Sequence, residues 1–125
     1  MGEEFPKDIK EFISQHVHSL AQLEVLLMLH REPGQSWTAE QVTNSLYLQR
    51  KMVEDILADL VGRGFATQNE AAFRYQHAGD EAHALVGRLA QLYQERRVTV
   101  IAEIFAKPAG SARAFAEAFR LRGKE

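Results

Sequence analysis

The sequence contains no cysteine among its 125 residues. This absence excludes disulfides, thiolate metal sites and cysteine nucleophiles, and it is compatible with a reducing cytoplasm. Long hydrophobic runs are also missing, because the longest aliphatic stretch, Val25 to Leu29, is far too short to span a bilayer. The first residues, "MGEEFPKDIKEF", are acidic where a secretory leader is basic. We therefore expect a soluble, cytoplasmic protein.

The chain also lacks an excess of positive charge. Its formal net charge is −2 and its pI is about 6.2, so no overall field attracts it to nucleic acid or to an anionic membrane. Residues 1–20 carry 2 basic and 4 acidic groups, residues 21–80 carry 5 and 8, and residues 81–125 carry 8 and 5. Only the last segment is basic, so any binding of DNA has to come from a local patch.

Catalytic motifs are absent as well. The sequence has no glycine-rich phosphate loop, no nucleophile elbow and no pair of carboxylates with a supporting histidine. His16 and His18 are close in sequence, but residues two apart on a helix face different sides, and no third ligand is near them. We therefore expect no enzymatic activity, no catalytic residues, no cofactor and no metal site.

What the sequence does contain is helical periodicity, beginning near the N-terminus. Ile9, Phe12 and Ile13 recur at helical spacing after Pro6, which predicts a short amphipathic helix to about His16. We assign residues 1–18 to an N-terminal helical extension. A second helix begins with a capping-box pattern at Ser19 and Gln22, where the hydroxyl accepts one N–H and the amide reaches back to another, and it ends at Pro33-Gly34.

Two further helices follow with a tight connection between them. Thr38 and Gln41 repeat the capping-box pattern and begin the short helix "TAEQVTNSL", which ends before Tyr47 and Leu48. The stretch "QRKMVEDILADLVGRGF" then places apolar residues at a period of 3.6, and Gly64 supplies a left-handed C-terminal stop. That apolar stripe consists of Met52, Val53, Ile56, Leu57, Leu60 and Val61.

A small β-hairpin is predicted after Gly64. "FATQ" and "AFRYQ" alternate with a period of two on either side of the polar turn Asn69-Glu70-Ala71, with Phe73 and Tyr75 on one face. We expect Trp37 to be buried and to seat a short strand against the helix of residues 20–32. Helix, short helix, turn, helix and hairpin together predict a winged helix-turn-helix domain over residues 19–78.

The segment "TAEQVTNSLYLQRKMVEDILADLVGRGF" resembles the core of the MarR-like winged-helix transcription regulators. That family's pattern runs from a cap and an acidic residue through a Leu-Gly-Leu-Ser turn to a helix that ends in Leu-x-x-Leu-x-x-x-Gly-Leu. The resemblance covers Leu20 to Gln76 and rests on packing and capping positions. These are Thr38, Glu40, Val42, Leu46, Leu48, Val53, Ile56, Leu57, Leu60, Gly64 and Phe65.

The sequence departs from that pattern at exposed positions. Tyr47 replaces the usual turn glycine, and Gln49 replaces the serine that often caps the recognition helix. Glu54, Asp55 and Asp59 stand at solvent-facing positions where the family commonly has serine, threonine or arginine, and carboxylates repel phosphates. These acids allow two interpretations, because a carboxylate can also accept from cytosine N4.

The resemblance implies a small transcription regulator that binds double-stranded DNA as a homodimer. The residues implied to face DNA are Gln49, Arg50, Lys51, Glu54, Asp55 and, on the wing, Arg74, with Arg63 as a further phosphate contact. The alternative is a winged-helix protein-interaction module that does not bind DNA and whose acidic third helix binds a partner protein. Sensing of a small ligand remains a third possibility.

The C-terminal part returns to helical period. From about residue 79 to 107 we predict one long helix of about 40 Å, which is more than so small a domain can cover, so part of it should form a dimer interface. The residues expected at that interface are Leu89, Leu92, Tyr93, Val100, Ile101, Ile104 and Phe105. Residues 108–125 read as a basic amphipathic tail. The predicted fold class is mainly α with a small β-hairpin, a winged helix-turn-helix with an extra N-terminal helix and a long C-terminal helix.

Overall fold

The computed structural model describes residues 5–106 of the chain, which form six helices and a small antiparallel sheet. The basic tail predicted at residues 108–125 lies outside the described residues. The helices are α1 (Lys7–His16), α2 (Leu20–Arg31), α3 (Ala39–Leu46), α4 (Arg50–Arg63), α5 (Asp80–Glu95) and α6 (Arg97–Ala106). The strands are β1 (Trp37–Thr38), β2 (Ala66–Asn69) and β3 (Ala72–Tyr75). This mainly α winged-helix architecture confirms the predicted fold class.

The predicted helix boundaries follow from local signals that the structure contains. Thr38 and Gln41 form the complete capping box that begins α3. At the start of α2 the Ser19 hydroxyl accepts from the backbone of Gln22, but the Gln22 amide oxygen accepts from His18 N–H rather than from Ser19 N–H. Gly64, at φ 90°, ends α4 in the left-handed conformation, as predicted.

The sheet has one strand more than the predicted hairpin. β1 pairs antiparallel with β3, and β3 pairs with β2, giving the order β1-β3-β2 with Trp37 opposite Phe73. Trp37 was expected to be buried and to seat its strand against α2; it is half-buried, and its strand pairs with β3 of the wing. The turn between β2 and β3 contains Glu70, which adopts a positive φ of 60° without being glycine.

The helix predicted over residues 79–107 is two helices. Arg96, with φ −135° and ψ 57°, separates α5 from α6, and α6 packs against both α5 and α1. Neither proline nor glycine marks this break in the sequence. The change of direction brings Val100 and Ile104 into the core of the same chain, where both are buried.

The hydrophobic core is continuous from the N-terminal helix to the wing. Ile9, Phe12 and Ile13 of α1 are buried in it, and the ring of Phe12 lies edge-on to Phe65, with centroids 5.6 Å apart. An ion pair of 2.6 Å between Arg88 and Asp8 links α5 to α1 and lowers the pKa of the Asp8 carboxyl. None of the helices in this part of the chain is long and apolar enough to cross a membrane.

Candidate nucleic-acid interface

Helix α4 follows α3 after a three-residue connection, and its two sides differ. The buried side carries Val53, Ile56, Leu57 and Leu60, which fix the rotation of the helix about its own axis. That rotation turns the other side to solvent. The residues on the exposed side are Gln49, Arg50, Lys51, Met52, Glu54 and Asp55. Met52 was expected in the apolar stripe but is 41% exposed.

The turn before α4 is formed without the glycine that usually occupies it. Tyr47 caps α3 in the left-handed conformation, with φ 58° and ψ 43°, and its N–H donates to the carbonyl of Thr43 at 2.8 Å. Its side chain is 91% exposed. Gln49 is the N-cap residue of α4, and its side chain makes no capping hydrogen bond, consistent with the loss of the serine found in the family pattern.

Both cations on the exposed side of α4 are paired with acids of the same helix. Arg50 Nε lies 3.0 Å from Glu54 Oε2, and Lys51 Nζ lies 3.3 Å from Asp55 Oδ1. These are solvent-exposed pairs at i and i+4, which typically contribute only about 0.2–0.5 kcal/mol each. A stronger ligand for Arg50 or Lys51, such as a phosphate, can therefore replace the intrahelical carboxylate at little cost.

Asp59 and Arg63 do not belong to this exposed side, contrary to the sequence prediction. Asp59 accepts from Arg63 Nε at 2.7 Å and from the amide of Gln22 at 2.5 Å, and the Gln22 side chain is buried. Arg63 also donates to the carbonyl of Gln15 at 2.9 Å. The sequence prediction assigned both charges to the exposed side from helical period alone. Helical period cannot show that α1 and α2 cover this part of α4.

His16 and His18 complete the same cluster and are not arranged as a metal site. Arg63 lies 3.1 Å from His16 Nδ1 and 3.0 Å from His18 Nε2. Burial, together with the nearby charges of Arg63 and His18, lowers the pKa of His16. Within residues 5–106, no group of three or more histidine, aspartate or glutamate side chains is placed to hold a metal ion.

The wing contributes one cation. Arg74 is exposed on β3, whereas the turn at the tip carries Glu70 and no basic residue. No ion pair joins Arg74 to another residue of the described chain. Arg74 is thus available to an anionic ligand from outside the chain.

The structure brings together three histidines that are scattered in the sequence. Tyr75 Oη lies 2.8 Å from His83 Nδ1, and the rings of His30 and His77 have centroids 5.8 and 4.5 Å from that of His83. Burial, and then the neighbouring His83, lowers the pKa of His30, and burial raises the pKa of Tyr75. This cluster joins the base of the wing to α2 and α5, and it could not be predicted from the sequence because its members come from α2, β3, α5 and the loop before α5.

A cavity of about 580 Å³ lies between α2, the end of α3 and the junction of α5 with α6. Three of its polar side chains interact with one another. Tyr93 donates to Glu24 at 3.2 Å, Arg97 lies 3.6 Å from the same carboxylate, and the Arg97 guanidinium stands 4.8 Å from the centre of the Tyr93 ring. Burial, followed by the nearby Glu24 charge, raises the pKa of Tyr93.

The residues expected at a dimer interface fall into two groups. Leu89, Val100 and Ile104 are buried in the core of the single chain, and Leu92 and Tyr93 are half-buried against it. Phe105 is 71% exposed and Ile101 is half-buried. Val98, which we did not select, is 79% exposed and shares a face of α6 with Ile101 and Phe105 at helical spacing.

Comparison with known proteins identifies the fold. No protein-family model matches the chain, and no curated protein matches it in sequence. The reduced form of MarR from E. coli is similar in structure at 16% identity, with a TM-score of 0.51 over 97% of this chain and 95% of that one. A MarR family protein of Mycobacterium tuberculosis gives 16% identity and a TM-score of 0.50 over 93% and 82%.

A third structural match has no bearing on the fold. It is the apo form of the S-adenosylmethionine-dependent methyltransferase SibL, at 18% identity and a TM-score of 0.45 over 71% of this chain. The chain spans only 26% of the length of that enzyme. The two MarR proteins, in contrast, are matched over most of their own length. Their likeness, together with the helix-turn-helix and wing described above, identifies the chain as a protein of MarR-like winged-helix fold.

Proposed function

We propose that the protein is a transcription regulator that binds double-stranded DNA as a homodimer, with α4 as its recognition helix. The observation that carries this proposal is the exposed side of α4, which presents amide, guanidinium and ammonium groups at the end where recognition helices contact bases. The proposal implies that the protein works in the compartment that holds the DNA, and its role there requires no catalytic step.

Each exposed residue has a role suited to its chemistry. Arg50 and Lys51 can contact phosphates or the O6 and N7 acceptors of guanine, and Gln49 can pair with adenine. Glu54 and Asp55 can accept from cytosine N4, and Arg74 can contact the backbone from the wing. On this proposal DNA takes over Arg50 and Lys51 from their intrahelical partners, Glu54 and Asp55.

The dimer contact we propose is the face of α6 formed by Val98, Ile101 and Phe105. Two of these apolar side chains are more than two-thirds exposed in the single chain, and burying a large apolar side chain is worth about 1.5–3 kcal/mol. A two-fold axis through this face would repeat α4 on the partner subunit, as the reading of a palindromic operator requires.

The second candidate is a protein-interaction module. The observation that favours it is the charge pairing on α4, because two cations balanced by two acids give that face no net positive charge. The acidic wing tip at Glu70 adds to this. On this alternative Glu54 and Asp55 bind a basic partner protein; Asp59, which packs against α2, no longer belongs to the binding surface.

Fluorescence anisotropy with labelled duplex DNA tests the primary proposal. Duplexes selected from a random library on the immobilised protein should bind, and the logarithm of affinity should fall linearly with the logarithm of salt concentration. Failure to bind selected or genomic duplexes at about 50 mM salt, where phosphate contacts are strong, would contradict the proposal.

A neutralising double variant, Glu54→Gln with Asp55→Asn, separates the two candidates. It releases Arg50 and Lys51 and removes two charges that repel phosphates, so non-specific DNA affinity should rise several-fold. A protein partner held by those acids would instead be lost. The matched control is Glu11→Gln with Glu81→Gln, which changes net charge equally at exposed sites on α1 and α5. An equal rise in both double variants would show a general charge effect and no role for α4.

A further inference from the structure

Tyr47 combines two properties that its contacts within residues 5–106 do not explain. Its backbone lies in the left-handed region at φ 58°, where any residue with a Cβ is strained and glycine is not. Its side chain is 91% exposed. Strained residues of this kind persist at binding sites when the side chain serves a contact outside the fold.

Nothing within the described chain compensates for the strain. The hydrogen bonds at this turn are made by the backbone, from the N–H groups of Tyr47 and Leu48 to the carbonyl of Thr43, and any residue type could form them. Within residues 5–106 the phenol hydroxyl of Tyr47 has no hydrogen-bond partner, in contrast to Tyr75 and Tyr93, whose hydroxyls bond His83 and Glu24. The tyrosine side chain therefore contributes little to the fold at this position.

The position of Tyr47 indicates what it can contact. In a helix-turn-helix the first helix crosses the sugar–phosphate backbone and the N-terminal residues of the second reach the base edges. Tyr47 stands at the corner between α3 and α4, two residues before the N-cap Gln49 and beside Arg50 and Lys51 in sequence. A side chain projecting from that corner is placed where the backbone of one strand passes.

We propose that Tyr47 is a DNA-backbone contact, whose hydroxyl donates a hydrogen bond to a phosphate oxygen while its ring covers the adjoining deoxyribose. Tyrosine is among the side chains that donate to phosphates in protein–DNA complexes, and it does so as a neutral group. The contact adds affinity and fixes the register of α4 without releasing a counterion. This inference rests on the proposed function, since it requires that the protein bind duplex DNA.

The test measures DNA affinity by anisotropy and the melting temperature by circular dichroism for wild type, Tyr47→Phe and Tyr47→Gly. Removing the hydroxyl should weaken binding about threefold to tenfold per protomer, with no change in melting temperature. Tyr47→Gly should weaken it further, while its melting temperature stays the same or rises, because glycine adopts the left-handed conformation without strain. A variant that keeps or gains stability but loses DNA affinity is the expected signature.

Salt dependence provides a second readout that a structural role would not produce. Tyr47→Phe should lower affinity by the same factor at every salt concentration, because a neutral donor displaces no counterion. Arg50→Gln should instead reduce the slope of log affinity against log salt by about one per protomer. A reduced slope in Tyr47→Phe would contradict the proposed neutral contact.

Glu70→Gly serves as the matched control for backbone strain. Glu70 is the other non-glycine residue with positive φ in this part of the chain, at 60°, so its replacement by glycine relieves the same kind of strain at the wing tip. It also removes a negative charge, so DNA affinity should hold or rise. If Glu70→Gly and Tyr47→Gly lost affinity alike, loss of backbone rigidity would be the cause and the proposal would be wrong.

The remaining outcomes also test the proposed contact of Tyr47 with DNA. If the wild-type protein binds DNA and both Tyr47→Phe and Tyr47→Gly bind it equally well, the inference is wrong and the proposed function stands. Wild type that binds no duplex overturns both, and this result needs no variant. A lower melting temperature for Tyr47→Gly, or a change of mass in light scattering, would show that Tyr47 serves the fold or a contact between chains, and would contradict the DNA contact.

Discussion

At the residue scale, equally charged side chains on one helix differ in their contacts because their burial differs. Asp55 and Asp59 are both aspartates of α4, and both accept from a cation four residues away in the helix. Within residues 5–106 Asp55 pairs with Lys51 alone, whereas Asp59 also accepts from the buried Gln22 amide. The first is available to an external ligand, and the second holds α4 against α2.

Replacing these two aspartates should therefore have different costs. Asp59→Ala leaves the buried amide of Gln22 without its acceptor and the guanidinium of Arg63 without its carboxylate, so the free energy of unfolding should fall by about 1–3 kcal/mol. Asp55→Ala removes one exposed pair and should change it by less than about 0.5 kcal/mol. Urea denaturation of both variants measures this, and equal losses would contradict the cluster as described.

Two histidines make stability dependent on pH. Burial lowers the pKa of His16 and of His30 below the ordinary value of 6.5. Below about pH 6.5 the unfolded chain therefore binds protons that the folded chain does not. The stabilisation that comes from keeping these two histidines neutral is complete above about pH 6.5. It is lost as pH falls through the lower pKa values that His16 and His30 have in the folded chain.

We accordingly expect a smaller free energy of unfolding at about pH 5.5 than at about pH 7.5. His30→Gln should reduce the difference between the two pH values, because one of the two shifted groups is then absent. Urea titrations at both pH values provide the measurement. A difference that is as large in His30→Gln as in wild type would assign the effect to other groups.

At the element scale, α4 shows how a local signal ends a helix. Gly62 lies inside α4 and a Cβ added there would meet nothing within 4 Å, whereas Gly64 ends the helix at φ 90°. Gly62→Ala should stabilise the protein by about 0.5–1 kcal/mol, and Gly64→Ala should destabilise it by about 1–2 kcal/mol. Chemical denaturation distinguishes them, and a stabilising Gly64→Ala would contradict the left-handed end of α4.

Elements set by local chemistry could be predicted from the sequence. The cap at Thr38 and Gln41, the stop at Gly64 and the alternation around Asn69–Ala71 depend on neighbouring residues, and the structure contains each of them. The break at Arg96 could not be predicted, because it follows from the packing of α6 on α1. These two helices are far apart in sequence. The contacts of Asp59 and the histidines around Tyr75 could not be predicted either, because they also join residues far apart in sequence.

The exposed side of α4 could be predicted from the sequence, but the contacts of α4 with other helices could not. Helical period placed Gln49, Arg50, Lys51, Glu54 and Asp55 on one exposed side, where the structure has them. The same period places Arg50 beside Glu54 and Lys51 beside Asp55 at i and i+4, a signal for pairing that our sequence analysis did not use. Helical period does not contain the contact of Asp59 with Gln22 on α2, because that contact joins two helices. The roles assigned to these residues and to Arg74 stay predictions.

At the scale of the whole molecule, substitutions at two neighbouring residues of α6 can distinguish loss of the proposed dimer from loss of the fold. Phe105 is 71% exposed on α6, and Ile104 beside it is buried. Phe105→Glu should give a folded chain whose mass in light scattering is that of one protomer, 14.2 kDa. Ile104→Glu places a charge in the core and should unfold the protein.

The salt dependence of DNA binding is a second measurement on the Phe105→Glu variant. A monomeric Phe105→Glu protein makes half the phosphate contacts, so its salt slope should be about half that of wild type. A dimeric Phe105→Glu protein would contradict the proposed interface on α6. Circular dichroism of both variants verifies which of them is folded.

The return of α6 onto α1 bears on how the chains would assemble in a cell. Val100 and Ile104 are buried in the core of their own chain, so on the proposed function each protomer would keep its fold when its partner leaves. The fraction of paired chains would then depend on protein concentration by mass action. Occupancy of an operator that only the dimer reads would rise more steeply than linearly with the amount of protein made, as long as much of that protein is unpaired.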